Sequence, residues 1–171
     1  MSGFLFRGMS VLFRARDLLV PRRKVLEEAH LSPGQTVLDF GCGPGSYLRD
    51  AARMVGPAGR VYALDLHPLA IRSVSRMAER MGLHNLRPIQ SDCQTELADA
   101  SVDSILLHDT FHILRNPREV LAELHRVLKK EGVLSFSDHH MGEQDITAGM
   151  TQGGLFRLAS KGRRTYTFVK N

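Results

Sequence analysis

The chain has 171 residues, with 43% hydrophobic and 24% charged residues, a formal net charge of +5 and a pI near 9.6. That length suits a single domain, 1–171, with a self-sufficient core, and those fractions exclude extensive disorder. Two cysteines make no disulfide framework, so a reducing cytoplasm is the expected compartment, and the basic balance suits a polyanionic partner without requiring one.

At the N-terminus, Arg7, Arg14, Arg16 and Asp17 interrupt an apolar stretch too often for a secretory core or a membrane span. Phe4, Leu5, Met9, Leu12 and Phe13 share one helical face. Residues 1–30 therefore read as a helical lid or packing segment on a 31–171 core, with a membrane-surface role as the competing reading. Pro21 fits the first position of a helix that Ser32-Pro33-Gly34 ends.

The run Val37-Leu38-Asp39-Phe40 reads as a strand entering the tight turn Gly41-Cys42-Gly43-Pro44-Gly45, with a helix from about Ser46 to Val55. Alternate glycines let the backbone take positive φ and let a ligand approach the main chain. The following helix would aim its free N–H groups at something polar or anionic. A second strand, Arg60 to Asp65, closes in an acid, and Asp65 stands 20 residues beyond Gly45, a reach that suits a carboxylate bonded to ribose hydroxyls. Next comes a helix with Ile71, Val74, Ala78 and Met81 on one core-facing side and Gly82 as its stop. A third strand spans Leu86 to Asp92 and a fourth Val102 to His108. Asn116-Pro117-Arg118-Glu119 combines a capping Asn, Pro at the first position and Glu at the third. Val120, Leu121, Leu124, Val127 and Leu128 give that helix a buried face. Val133 to Ser137 forms a fifth strand, and Leu155 to Val169 reads as a hairpin turning at Lys161-Gly162-Arg163. Alternating helices and strands of this kind predict a parallel sheet covered on both faces.

The acid followed by G-x-G-x-G resembles motif I of the class I methyltransferases that use S-adenosylmethionine. Arg126-Val127-Leu128-Lys129-Lys130-Glu131-Gly132-Val133-Leu134 resembles their R-V-L-K-P-G-G-x-L signature, with Lys130-Glu131 where Pro-Gly is usual. The resemblance covers about residues 30 to 140. It implies an α/β, doubly wound, Rossmann-like three-layer fold with sheet order 3-2-1-4-5-7-6 and an antiparallel last strand. It also implies S-adenosylmethionine as cofactor and S-adenosylhomocysteine as product. In that pattern Asp39 lies near the methionine amino group, Asp65 binds the ribose, and Asp92 with Cys93 meets the adenine. Gly41, Cys42, Gly43, Gly45, Leu66 and His108 complete the implied cofactor set. A nicotinamide-dependent dehydrogenase is the fold's other reading, against which the tight glycine spacing and Asp39 weigh.

Ligands of open α/β sheets bind where strand order reverses, here between the first and fourth strands. Candidate bases at that rim are His108, His139, His140 and Asp109, since methyl transfer needs a base only when the acceptor must lose a proton. His112, followed by Ile113-Leu114 and Asn116-Pro117, resembles a positional histidine of the same superfamily. Cys42, Cys93, His108, His112, His139 and His140 include good soft-metal ligands, but their spacings match no compact zinc pattern and no metal is expected. The D-P-P-Y, N-P-P-Y and Pro-Cys markers and a cysteine-rich array are missing. What remains resembles the group that includes ubiquinone and menaquinone methyltransferases, which implies a small acceptor. Met141 to Gly153 leaves little room for a capping insertion, so the N-terminal helix or the second subunit of a homodimer would cover the pocket, or the acceptor is large. Methylation of RNA or protein, favoured by the basic termini, and a non-catalytic module that only binds the cofactor are the alternatives.

Overall fold

Near-continuous apolar strands need cover on both faces, and the chain supplies it by returning its first helices to one side of the sheet and its later ones to the other. The computed structural model describes residues 22–171, so the expected amphipathic helix and Pro21 lie outside the described residues. The elements are α1 (Arg22–Glu28), β1 (Thr36–Phe40), α2 (Leu48–Val55), β2 (Arg60–Asp65), α3 (Pro68–Met81), β3 (Leu86–Gln90), β4 (Val102–His108), α4 (Pro117–Val127), β5 (Leu128–Ser137), α5 (Glu143–Thr151), β6 (Phe156–Lys161) and β7 (Tyr166–Lys170). Their seven strands form one sheet in the order β3-β2-β1-β4-β5-β7-β6. All neighbours are parallel except β7, which runs antiparallel to both β5 and β6. This is the expected doubly wound order.

Alternation along the strands divides the core. Val37, Val61, Ala63 and Leu106 pack with α1, α2 and α3 on one face. Leu38, Phe40, Ile105, Leu107, Leu134 and Phe136 pack with α4, α5 and the terminal hairpin on the other. Because β1 lies between β2 and β4, its carboxyl end is the switch point of the sheet. No helix among the described residues is long and apolar enough to cross a membrane.

Four local expectations are corrected. β5 begins at Leu128 rather than Val133, because α4 passes directly into a strand that bulges between the Val102–Leu128 and Ser104–Val133 pairs. Lys129 Nζ donates to Asp103 Oδ1 at 2.6 Å, and a Cβ on Gly132 would stand 3.0 Å from the Asp103 carbonyl oxygen. Lys130-Glu131 therefore sits in that bulge. β3 stops at Gln90, leaving Asp92 on the following turn. On α3, Ala70 and Val74 are fully buried, but Met81, in its last turn, is exposed where the helix, packed chiefly on the outer strands β2 and β3, runs out. Asn116 stands at the cap of α4, yet its Nδ2 donates to Glu119 Oε2 at 3.1 Å rather than its side chain capping the backbone.

Candidate active site

The glycine loop is shaped by what presses on it. Gly41, Gly43 and Gly45 have φ of +77°, +53° and +94°. A Cβ on Gly41 would stand 2.4 Å from the Thr110 side chain, itself buried with Oγ1 donating to the His108 carbonyl at 2.9 Å. Around Gly43 a Cβ would meet nothing within 4 Å, so the space over the loop is open. The Gly41 and Cys42 N–H groups donate to the Leu64 carbonyl at 2.8 and 3.0 Å, tying the loop to β2. The helix then starts at Leu48, two residues after the expected Ser46, because residues 41–47 are spent on the turn.

Asp65 closes the loop from the neighbouring strand. Its Oδ2 accepts from Gly43 N at 2.8 Å and its Oδ1 from His67 N at 2.7 Å. A carboxylate has about four lone-pair sites, so two N–H donors leave room for further hydroxyl donors. Asp39, at the end of β1, is 2% exposed, and its Oδ2 has no hydrogen-bond partner among the described residues. Burial, with the charge of Asp65 adding to it, pushes its carboxyl up to about 7. Burial beside these two acids likewise drives the Cys42 thiol well above its ordinary range, which leaves it inert.

These groups fit the charged thioether nucleoside that the resemblance implies. A buried acid lacking a donor is complementary to an ammonium group, the open glycine turn admits a ligand to the main chain, and Asp65 has acceptor capacity left for two vicinal hydroxyls. Leu66, exposed beside Asp65, offers an apolar surface at the same rim. Ser91 N donates to the Asp65 carbonyl at 3.2 Å, bringing the turn with exposed Asp92 and buried Cys93 alongside β2.

Beyond the ends of β4 and β5 lies a cavity of about 520 Å³. Its lining includes Tyr47, Asp109, Ser137, Asp138, His139 and Met141, together with Lys161, Arg163, Arg164 and Tyr166 from the terminal hairpin. His139 enters this cavity, held by Asp109: Nδ1 lies 2.6 Å from Asp109 Oδ1, and the His139 N–H donates to the same oxygen at 3.2 Å. Asp109 has φ +51°, a backbone conformation that aspartate tolerates better than most residues, and its N–H donates to the Ser137 carbonyl at 2.7 Å.

The other histidines are placed differently. His108 is buried; its Nδ1 is 2.7 Å from Ser137 Oγ and its ring centroid 5.0 Å from that of Tyr47. It stands behind Ser137 instead of lining the cavity. His140 lies between His139 and His112, its ring tilted 42° to each, at centroid separations of 3.9 and 4.2 Å. His112 Nδ1 lies 2.8 Å from Oδ2 of buried Asp138, whose Oδ1 accepts from the His140 N–H at 3.1 Å. Among the described residues no group of three or more histidine, cysteine or acidic side chains could hold a metal ion.

Sequence reasoning missed Tyr47, Thr110 and the pair Arg163 and Arg164 as site residues. Arg163 and Arg164 left a trace as a basic cluster near the C-terminus, and Tyr47 follows the glycine loop directly. Nothing local marks Thr110, which meets the loop across 69 positions of sequence.

The family described as "Methyltransferase domain" matches residues 31–168. A demethylmenaquinone methyltransferase of Geobacillus stearothermophilus is 29% identical over 126 residues, 73% of this chain and 54% of the relative. A 37.1 kDa protein of a Streptomyces fradiae transposon is 33% identical over 125 residues, 71% of this chain and 33% of its own length. The chain thus spans between a third and about half the length of these curated relatives. A S-adenosylmethionine-dependent methyltransferase from Aquifex aeolicus superposes with a TM-score of 0.79 at 28% identity, over 87% of this chain and 89% of that one. Since the family match takes in both the glycine loop and the terminal hairpin, the chain belongs to the class I S-adenosylmethionine-dependent methyltransferases.

Proposed function

We propose that the chain moves a methyl group by in-line displacement to an O, N, S or C atom of a small acceptor seated in the 520 Å³ cavity. The observation that carries this reading is the His139–Asp109 pair on the wall of a cavity that is also lined by Tyr47, two residues after the last glycine of the loop. Its volume is that of a site for a small organic ligand. Val25 of α1 also lines it, which supports a covering role for the N-terminal segment, residues 1–30.

Bound S-adenosylmethionine supplies a methyl group already activated on a sulfonium. The residues therefore need only hold, orient and deprotonate. Asp39 pairs with the ammonium and Asp65 takes the ribose hydroxyls, while Leu66, Asp92 and Cys93 border the base. Confinement between Tyr47, Ser137 and Met141 orients the acceptor, an effect worth up to roughly 7–11 kcal/mol when alignment is good. His139 acts as general base. To donate to the Asp109 carboxylate, its Nδ1 must carry the hydrogen, which leaves the Nε2 lone pair for the acceptor's proton. His108 and His140 take positioning roles, His108 through Ser137 and His140 through its ring contact with His139.

Titration calorimetry with S-adenosylhomocysteine and turnover with phenol, amine and thiol acceptors test this. His139→Ala should lower turnover about 10²–10⁴-fold while leaving S-adenosylhomocysteine affinity at its wild-type value. Folded protein that binds no S-adenosylhomocysteine would end the methyltransferase reading, and unchanged turnover would remove His139 from it.

A further inference from the structure

The turn between β6 and β7 brings two arginines to the cavity, and its shape is imposed from outside the hairpin. Glu28 Oε2, at the end of α1, accepts from Arg164 N, Thr165 N and Thr165 Oγ1, each at 3.0 Å. Burial opposes the charge on Glu28, but these donors outweigh it and hold its carboxyl below the ordinary value. A Cβ on Gly162 would stand 2.4 Å from the same oxygen, so the Glu28 carboxylate lies directly against the turn. Residues 162–165 are thereby fixed against α1, and Arg163 and Arg164 are presented from a defined backbone.

The charge balance inside the cavity is uneven. Lys161 is paired with Glu143, and its Nζ lies 5.4 Å from the Tyr166 ring centroid. Asp109 is engaged by His139, and Asp138 by His112 and His140. Arg164 shares its field with Glu28. Arg163 has no ion pair among the described residues. The carboxylates that line the cavity are thus engaged by histidines, and among the lining residues guanidinium charge is left over.

We infer that the acceptor carries an anionic oxygen group, a carboxylate or a phosphate, that seats on Arg163 and Arg164 while its reacting atom faces His139. This deepens the proposed function and rests on reading the cavity as the acceptor site. Guanidinium groups match both anions, because their N–H forks bond two oxygens at once. A neutral acceptor of the same shape would leave the arginines without a partner. The base and the anion site are separate, so binding and deprotonation are set by different residues.

The test uses the full chain saturated with S-adenosylhomocysteine and three probes titrated by NMR: benzoate, phenyl phosphate and neutral benzamide. At least one anion is expected to bind saturably and roughly tenfold or more tighter than benzamide. The Arg163→Gln/Arg164→Gln variant should lose that advantage, with S-adenosylhomocysteine affinity unchanged, and Arg163→Lys/Arg164→Lys should regain part of it. The tighter of the two anions identifies carboxylate or phosphate as the group recognised. Equal binding of all three probes, no saturable binding of either anion, or anion binding unaffected in the glutamine variant would each overturn the inference. So would steeply salt-dependent binding of a short oligoribonucleotide with both small anions excluded, which would point to RNA instead. Failure of S-adenosylhomocysteine to bind appears in its own titration and counts against the methyltransferase reading, not against the anion site.

Discussion

Replacing Asp39 by Asn tests the electrostatics of the cofactor end directly. The carboxyl is displaced from an ordinary 3.8 to about 7 by burial and by Asp65. A displacement of about three pH units corresponds to roughly 4 kcal/mol between its two protonation states. Because the folded-state value is the raised one, the advantage of the folded state is fully present below pH 3.8. It is lost as the pH climbs through about 7, where the fold carries the whole cost of a buried charge. Asn has the size of the protonated acid and no charge at any pH. Wild type and Asp39→Asn should therefore melt at similar temperatures near pH 4 and separate as the pH rises. Above pH 7 the variant should be more stable by roughly 8–16 °C, taking about 2–4 °C per kcal/mol for a chain of this size. Fluorescence-monitored melting between pH 4 and 8 measures this. The same substitution should weaken S-adenosylhomocysteine about 10- to 150-fold through loss of a charged hydrogen bond. In wild type, ligand binding near pH 6 should release a proton from Asp39, detectable by calorimetry in buffers of different ionisation enthalpy. Melting curves that differ by the same amount at every pH would refute the argument, because they would mean that Asp39 ionises normally in the folded protein.

Three further outcomes follow from the geometry. Asp65→Ala should weaken S-adenosylhomocysteine by about 1.5–3 kcal/mol in a binding titration, and it should also loosen the loop, since Gly43 N loses its acceptor. Gly41→Ala should destabilise the fold by about 2–4 kcal/mol in thermal melting, from a strained positive φ and the 2.4 Å approach to Thr110; Gly41→Ala/Thr110→Ala should regain only the steric part. Glu123, buried on α4, is held at about 2 by the Arg126 guanidinium and, against its burial, by the Thr95 hydroxyl and N–H. Its stabilisation is present above pH 4.5 and lost as pH falls toward 2. Glu123→Gln should therefore cost roughly 1.5–3 kcal/mol at pH 7, and the deficit should shrink in acid melts.

Most of the elements, and the glycine turn after β1, were legible in one dimension. Apolar runs closed by Asp39 and Asp65, the alternate glycines and the Gly82 stop are short-range signals, because backbone conformation and strand or helix period depend on near neighbours. The sheet order came through the resemblance carried by those same motifs. Tertiary structure alone decided which groups meet. Thr110 against Gly41, Asp65 on Gly43, and Glu28 under the 162–165 turn join positions 69, 22 and 137 residues apart. No local pattern encodes such distances. The same holds for the histidines: His108 closes β4 and His139 and His140 follow β5, yet packing sets His108 behind Ser137 and His139 on the cavity wall beside Asp109. Arg163 and Arg164 look like ordinary surface charge in one dimension, and the antiparallel return of β7 between β5 and β6 is what brings them to the cavity beyond β4 and β5.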